Sequence, residues 1–390
     1  MPIPKTLALF CKVVDNYGDI GICWRLARQL RHEHGIAVTL WVDDLATFQR
    51  ICPALDAGAE MQVVDDVGIR DWRTQEGSFT PEDIADIVIE FFACDIPEDY
   101  IAAMAQCEPR PVWLNLEGLT AEEWVEGCHR LPSRHPRLPL TKYFFFPGFT
   151  DKTGGLLCEA NLERERQRFI GDRVSVSAFL ATLGLTPQEM QATKVSLFCY
   201  PHAPVADLFH AWQQGSEAIT CLVPEGVARE AAEAFLDTPA QAGVVGTRGA
   251  LTVRVLPFLP QSDYDKLLWS CDLNFVRGED SFVRAQWACQ PFIWHIYPQD
   301  KDLHHVKLRA FLGRYANDLD ALAVFSLAWN GAQAGQPDWP ALWSALQTQR
   351  TQILAKTENW RARMQDIGDL ASNLVKFAAL MASPEQEKRI

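Results

Sequence analysis

No stretch of this chain is apolar for long. Its longest hydrophobic runs, such as LALF and YFFF, fall far short of the roughly 20 residues that a membrane-spanning helix needs. The opening MPIPKT has neither an apolar segment nor a cleavage site, so no export signal is read there. Eleven cysteines occur without a single C-x-x-C pair. That spacing excludes a zinc-ribbon or thioredoxin-type centre and reads as small buried hydrophobes in a reducing compartment. Basic residues are in deficit, 36 Lys and Arg against 50 Asp and Glu, for a net charge of −14. Such a balance argues against a nucleic-acid backbone binder and suits a cationic acceptor. Neither G-x-x-x-x-G-K-[ST] nor a G-x-G-x-x-G after the first strand is present, so simple NTPase and NAD-binding readings lose their main support. A cytoplasmic protein with no nucleic-acid or membrane partner is expected.

What the 390 residues do contain is alternation, at a length suited to two domains. The apolar run TLALFCKVV precedes DNYGDIG (Asp15 to Gly21), and ICWRLARQLRHEHG then reads as a helix. Further strand-like runs follow at Val38 to Asp44, Met61 to Asp65, Asp86 to Asp95 and Val112 to Glu117, each followed by helix-compatible sequence. Between Asn161 and Lys194 the pattern turns charged and helical, and a second alternating series starts at KVSLFCY. We therefore expect an α/β protein of two Rossmann-like domains facing a central cleft, the GT-B arrangement shared by many nucleotide-sugar glycosyltransferases. The expected boundaries are 1–188, 189–358 and a helical tail, 359–390, packing back on the first domain. Leu370, Leu374, Phe377 and Met381 give that tail its helical spacing.

Three stretches carry chemistry. In DNYGDIG, a bare connection needs only turn residues, yet Asp15 and Asp19 accompany Asn16, Tyr17, Gly18 and Gly21. One reading is a capped turn; the other puts both carboxylates at the carboxyl end of a parallel strand, where α/β folds place their sites. In VRGEDSF, a strand runs into Arg277, Gly278, Glu279, Asp280 and Ser281 and then a helix from Phe282. Asp280 or Ser281 can cap that helix, and its free N–H groups with Arg277 would cradle a diphosphate. In LPFLPQSDYDKLL, Phe258 and Gln261 offer a stacking face and an amide suited to a pyrimidine base, or else a core aromatic and a solvated loop residue. Phe198, Tyr200 and Tyr297 hold comparable strand-end positions. The D-x-D pairs Asp263/Asp265 and Asp300/Asp302 lie at helix starts, where acids are favoured without any metal. His304 and His305 near Asp302 are read as a solvated helix start, since adjacent helical side chains diverge.

With these residues in order, the chain resembles the protein-arginine rhamnosyltransferases of the EarP family, which modify translation elongation factor P. The resemblance rests on FCKVVDNYGDIGICWRLARQL, LWVDD, FACDIPE, WLNLEGL, GFTDKTGGL, PFLPQSDYDKLL and RGEDSFVRAQWACQPFIWHIYPQD, in that order. It implies a metal-independent, inverting enzyme with no cofactor, moving rhamnose from dTDP-β-L-rhamnose to a guanidine nitrogen of one arginine on the folded N-terminal domain of elongation factor P. It implies Asp19 as catalytic base with Asp15 handling the acceptor, and Asn115 and Glu117 are further acceptor-side candidates. It places the donor on Phe198, Tyr200, Phe258, Gln261, Arg277, Gly278, Glu279, Asp280, Ser281 and Tyr297. Two rivals were open to the residues alone: a nucleotide-sugar epimerase sharing the two-domain fold, and a non-enzymatic binder of a translation factor.

Overall fold

The computed structural model describes residues 4–14, 17–74 and 79–383. Its contacts divide the chain into two units, Met1–Ala160 with Met364–Ile390, and Asn161–Arg363. In the first, the described strands are β1 (Thr6–Cys11), β2 (Ala37–Val42), β3 (Met61–Val64), β4 (Val67–Asp71), β5 (Ile87–Phe91), β6 (Val112–Leu116), β7 (Pro132–Arg134) and β8 (Thr141–Phe145). They form one sheet in the order β3-β4-β2-β1-β5-β6-β8-β7. The inner pairs are parallel, and the edges are closed by the antiparallel pairs β3/β4 and β7/β8. β5 and β6 are buried at every position, as expected of a parallel sheet covered on both faces. On one side Phe10 stacks on Trp41 at 5.5 Å and meets the edge of Tyr100 at 4.9 Å.

The last described helix, Leu370–Met381, belongs to this unit and buries Leu370, Leu374 and Phe377. Its entry is latched to the body. Leu156 bridges Asp369, Asn373 Nδ2 donates to the Gly154 carbonyl at 3.1 Å, and Gln29 Nε2 donates to Asp369 Oδ1 at 3.1 Å. Gly155 sits there at φ +76°, where a Cβ would lie 2.1 Å from the Gly368 carbonyl oxygen, so only glycine lets the two segments meet.

The second unit holds β9 (Thr193–Leu197), β10 (Ile219–Pro224), β11 (Val245–Arg248), β12 (Leu251–Leu256), β13 (Leu273–Arg277) and β14 (Phe292–His295), in the order β11-β12-β10-β9-β13-β14. Only β11 runs antiparallel to its neighbour. The unit begins at Asn161, not near residue 189 as the sequence pattern suggests. The reason is packing: Leu180, Leu183 and Leu185 share a core with Leu222, Leu256 and Leu267, and Phe169 packs 5.8 Å from Trp269. The unit's far boundary falls inside the helix Arg350–Ile367, at Arg363.

In both sheets the strand order reverses at the first strand of the unit. β1 lies between β2 and β5, and β9 between β10 and β13. The carboxyl ends of β1 and β9 are therefore topological switch points, where side chains and backbone groups face an opening rather than a crossover connection.

Candidate functional site

At the first switch point the structure extends the helix further back than the sequence suggests. The helix Tyr17–His34 takes in Tyr17, Gly18 and Gly21 as helical residues, so these glycines do not shape a turn. Asp15 and Asn16 lie outside the described residues. Asp19 stands in the helix's first turn, where a carboxylate is favoured by the unpaired N–H groups, and its Oδ2 accepts the backbone N–H of Val14 at 2.8 Å. That bond ties the helix back to the strand end and fixes the direction of the carboxyl group. Asp19 is 5 % exposed. A buried thiol lies near it: burial pushes Cys23 well up, with Cys11, Asp19 and Cys94 reinforcing the shift, so Cys23 stays neutral.

Beside it, after β5, Phe92 and Ala93 adopt left-handed backbone at φ +53° and +49°, a conformation rare for such residues. Asn115 holds them there. It is buried, its Oδ1 accepts the Ala93 N–H at 2.9 Å, and its Nδ2 donates to Glu117 Oε1 at 2.5 Å. Asn115, read from the sequence as an acceptor-side group, is thus spent on holding a strained loop and aiming Glu117.

The second switch point is cationic and aromatic. Arg277 ends β13, and its guanidinium lies 4.3 Å from the centre of the Phe198 ring and 4.9 Å from that of Tyr200. Its Nη1 donates to the Cys199 carbonyl at 3.1 Å. Packed against two rings and one carbonyl, the guanidinium is pre-organised, with donors left over for an anion. Gly278 takes φ +61° in the following turn, and Trp294 Nε1 donates to its carbonyl at 2.7 Å. The helix then runs over Asp280–Ala288, two residues earlier than Phe282, with Glu279 at its cap making no side-chain capping bond. Neither Asp280 nor Ser281 caps it. Ser281 Oγ turns back to accept the Arg277 N–H at 3.0 Å and to donate to the Arg277 carbonyl, so its hydroxyl locks the turn.

Phe258 and Tyr297 are 39 % and 45 % exposed, and Tyr297 meets Tyr200 edge-on at 5.6 Å. The core alternative for Phe258 is therefore excluded. Gln261 opens the helix Gln261–Ser270 and is half-buried. In the same helix, Asp265 is held in bidentate fashion by buried Arg284 at 2.9 and 2.8 Å, and Asp263 by Lys266 at 2.8 Å, so this D-x-D pair is committed to ion pairs. His304 and His305 do not diverge: their rings lie 4.1 Å apart, with an Asp302 oxygen inside the same 4.8 Å group. Lys301 and Asp302, both left-handed, turn the chain just before the helix Leu303–Tyr315, and the Gln299 N–H donates to His304 Nδ1 at 3.1 Å. That bond leaves the neutral ring's proton on Nε2, and His305 spends its Nε2 on the Asn330 carbonyl at 2.9 Å.

The family described as elongation factor P (EF-P) rhamnosyltransferase EarP matches residues 7–379. The chain belongs to the EarP family. Among EarP relatives, the protein-arginine rhamnosyltransferase of Pseudomonas putida is 48 % identical over 381 residues, covering 95 % of this chain and 98 % of that one. A solved structure described as the structural basis for EarP-mediated arginine glycosylation of translation elongation factor EF-P is 36 % identical. Its TM-score is 0.67, and the match covers 96 % of this chain and 99 % of that chain. A UGT transferase from Siraitia grosvenorii, solved in complex with UDP, matches in fold alone, at 11 % identity and a TM-score of 0.52 over 97 % and 100 % of the two chains. The EarP chain is accordingly a GT-B glycosyltransferase of two Rossmann-like units. No described helix is long and apolar enough to cross a membrane.

Sequence reasoning missed the Val14 N–H on Asp19, the Asn115 brace under Phe92 and Ala93, and the buried Arg284–Asp265 pair. It also missed His202 and His295, which pack on Tyr200. Only the Arg284–Asp265 pair had a local signal, a charged residue at a helical position facing the core.

Proposed function

We propose that this enzyme transfers L-rhamnose from dTDP-β-L-rhamnose to a guanidine nitrogen of one arginine of elongation factor P, in the cytoplasm, with inversion and without a metal. The observation that carries the reading is a pair of opposite charges, one beside each switch point. The oriented, buried carboxylate of Asp19 stands just past β1, and Arg277 ends β13 with its guanidinium packed on the rings just past β9.

A guanidinium is protonated at any cellular pH and its lone pairs are delocalised, so it needs help to attack. Asp19 orients the attacking nitrogen and accepts its proton as the new C–N bond forms. Asp15 and Glu117 hold the remaining N–H groups. The bond from the anomeric carbon to the dTDP oxygen breaks on the opposite face, which turns the β-linked donor into an α-linked product. Arg277 and the backbone N–H groups that open the helix Asp280–Ala288 meet the charge left on dTDP. Phe258 and Gln261 take the thymine, and Tyr200 and Tyr297 border the sugar diphosphate. Specificity for the folded N-terminal domain of elongation factor P follows from economy, since free arginine abounds and the nucleophile alone offers few contacts.

Intact-mass spectrometry of elongation factor P incubated with enzyme and dTDP-rhamnose tests the reading. One deoxyhexose on one arginine, formed equally well under exhaustive EDTA, is expected. An unmodified acceptor, or transfer that EDTA abolishes and magnesium restores, would overturn the reaction or its metal independence respectively.

A further inference from the structure

Behind Arg277, the second switch point holds two histidines whose protons the hydrogen bonds fix. His295 ends β14, directly opposite Arg277 in the parallel register, and is 1 % exposed. Its Nδ1 accepts the Tyr200 backbone N–H at 3.2 Å. Burial, with His202, Arg277 and His304 adding, pushes its pKa down to about 3, so the ring is neutral and its one proton is on Nε2. That nitrogen lies 3.0 Å from His202 Nε2. With His295 donating, His202 Nε2 must accept, and a neutral His202 carries its own proton on Nδ1. Burial lowers the His202 pKa as well, which favours that neutral form. The His202 ring lies parallel to Tyr200 (6.1 Å, 6°), the same ring against which the Arg277 guanidinium packs. His202 is exposed and His295 is not, so the chain of bonds runs from a buried strand end to an open surface.

We propose that His202 is a further ligand of the donor's diphosphate, presenting a neutral Nδ1–H beside Arg277, and that His295 is the positioning residue that fixes its tautomer and direction. The inference rests on the reading that a thymidine diphosphate binds this unit. A tautomer locked from behind gives the site a donor that needs no reorientation when the anion arrives. It also explains why a polar ring is buried at the end of β14, where an aliphatic residue would satisfy packing alone.

The test uses the full-length protein with dTDP and thymidine as probes. His202→Phe keeps a ring against Tyr200 and removes the N–H. We expect the dTDP dissociation constant to rise about tenfold, as for a lost hydrogen bond to a charged group, with thymidine affinity unchanged. His295→Asn places an amide oxygen where Nδ1 accepts the Tyr200 N–H but cannot reach His202. It should weaken dTDP to a similar extent, and the double variant should be no worse than either single one. Nitrogen-15 spectra of the wild type should show His295 as the Nε2–H tautomer and His202 as Nδ1–H. The His202 Nδ1 resonance should move on addition of dTDP but not of thymidine, a response that a purely structural histidine would not give. Unchanged dTDP affinity in His202→Phe, equal losses for dTDP and thymidine, additive losses in the double variant, or the opposite tautomers would each overturn the proposal. Wild-type protein that bound neither probe would instead overturn the donor reading beneath it.

Discussion

The two switch points have the same topology and opposite contents. After β1 come a carboxylate, a backbone N–H that orients it and the buried, neutral thiol of Cys23. After β9 and β13 come a guanidinium, two aromatic rings that flatten it and a serine that ties its own turn. A Rossmann unit thus supplies a place but no charge, and a handful of turn residues decides whether that place receives a cation or an anion. The contrast predicts that damage to one side should leave the other side's ligand alone.

The largest effect should come from Asp19→Asn. Its loss as general base should lower transfer by roughly 10²–10⁴-fold with dTDP affinity unchanged, measured by single-turnover transfer and by calorimetry. Wild-type-like turnover would remove Asp19 from the chemistry. Arg277→Ala is the mirror experiment. It should weaken dTDP about 10- to 100-fold, the range for hydrogen bonds to a charged group, and leave affinity for elongation factor P intact. If acceptor binding fell instead, the assignment of opposite charges to opposite substrates would be broken.

Asn115→Ala should act more quietly. Only Asn115 itself is buried; the Ala93 N–H and Glu117 can reach water once freed. The change should therefore cost about 0.5–1.5 kcal/mol of stability, the net worth of an ordinary hydrogen bond, and raise the KM for the protein acceptor, while dTDP binding stays the same. Denaturant unfolding and steady-state kinetics separate those outcomes, and unchanged stability would mean that the left-handed loop needs no brace.

The smallest effect concerns acid, and it compares one histidine from each unit. Burial pushes His129 down to about 4 and His295 to about 3, whereas both titrate near about 6.5 once unfolded. Between those values the unfolded chain binds more protons than the folded one, so stability should fall as the pH drops below about 6.5. His129→Asn and His295→Asn should each flatten that slope, read as the change in Tm between pH 7.5 and 5.5. A slope untouched in both variants would show that other groups carry it.

Much of this was legible in the residues, for physical reasons. β1, β2, β5 and β6 announce themselves because a strand covered on both faces must be largely apolar, with a polar residue such as Asn115 admitted only where it finds a partner. β4, β7 and β8 do not, since short edge pairs need no such run. The two helices between Leu162 and Thr182 carry no mark of ownership, and it is packing, Phe169 on Trp269 and Leu180 in one cluster with Leu222, that assigns them to the second unit. At the site, Asp19, Arg277, Phe198 and Tyr200 stand out as unusual residue types just past apolar runs. What stays hidden is pairing at long range: Asn115 with Ala93, or His295 with the Tyr200 N–H 95 positions away. Ser281 misleads because a serine that caps a helix and one that folds back on the preceding arginine look alike in one dimension.

The glycine latch at Gly155 and Gly368 also has a consequence in time. The body of the first unit is translated by Ala160, but the helix that buries Leu370, Leu374 and Phe377 against it arrives only after Met364. At about 5–20 residues per second, the ribosome leaves the first unit without its last helix for roughly 10–40 s, while the uninterrupted second unit emerges whole. The later-born unit is therefore the first able to finish folding, and the Asp19 turn, made before any residue of that unit, belongs to a core that closes last.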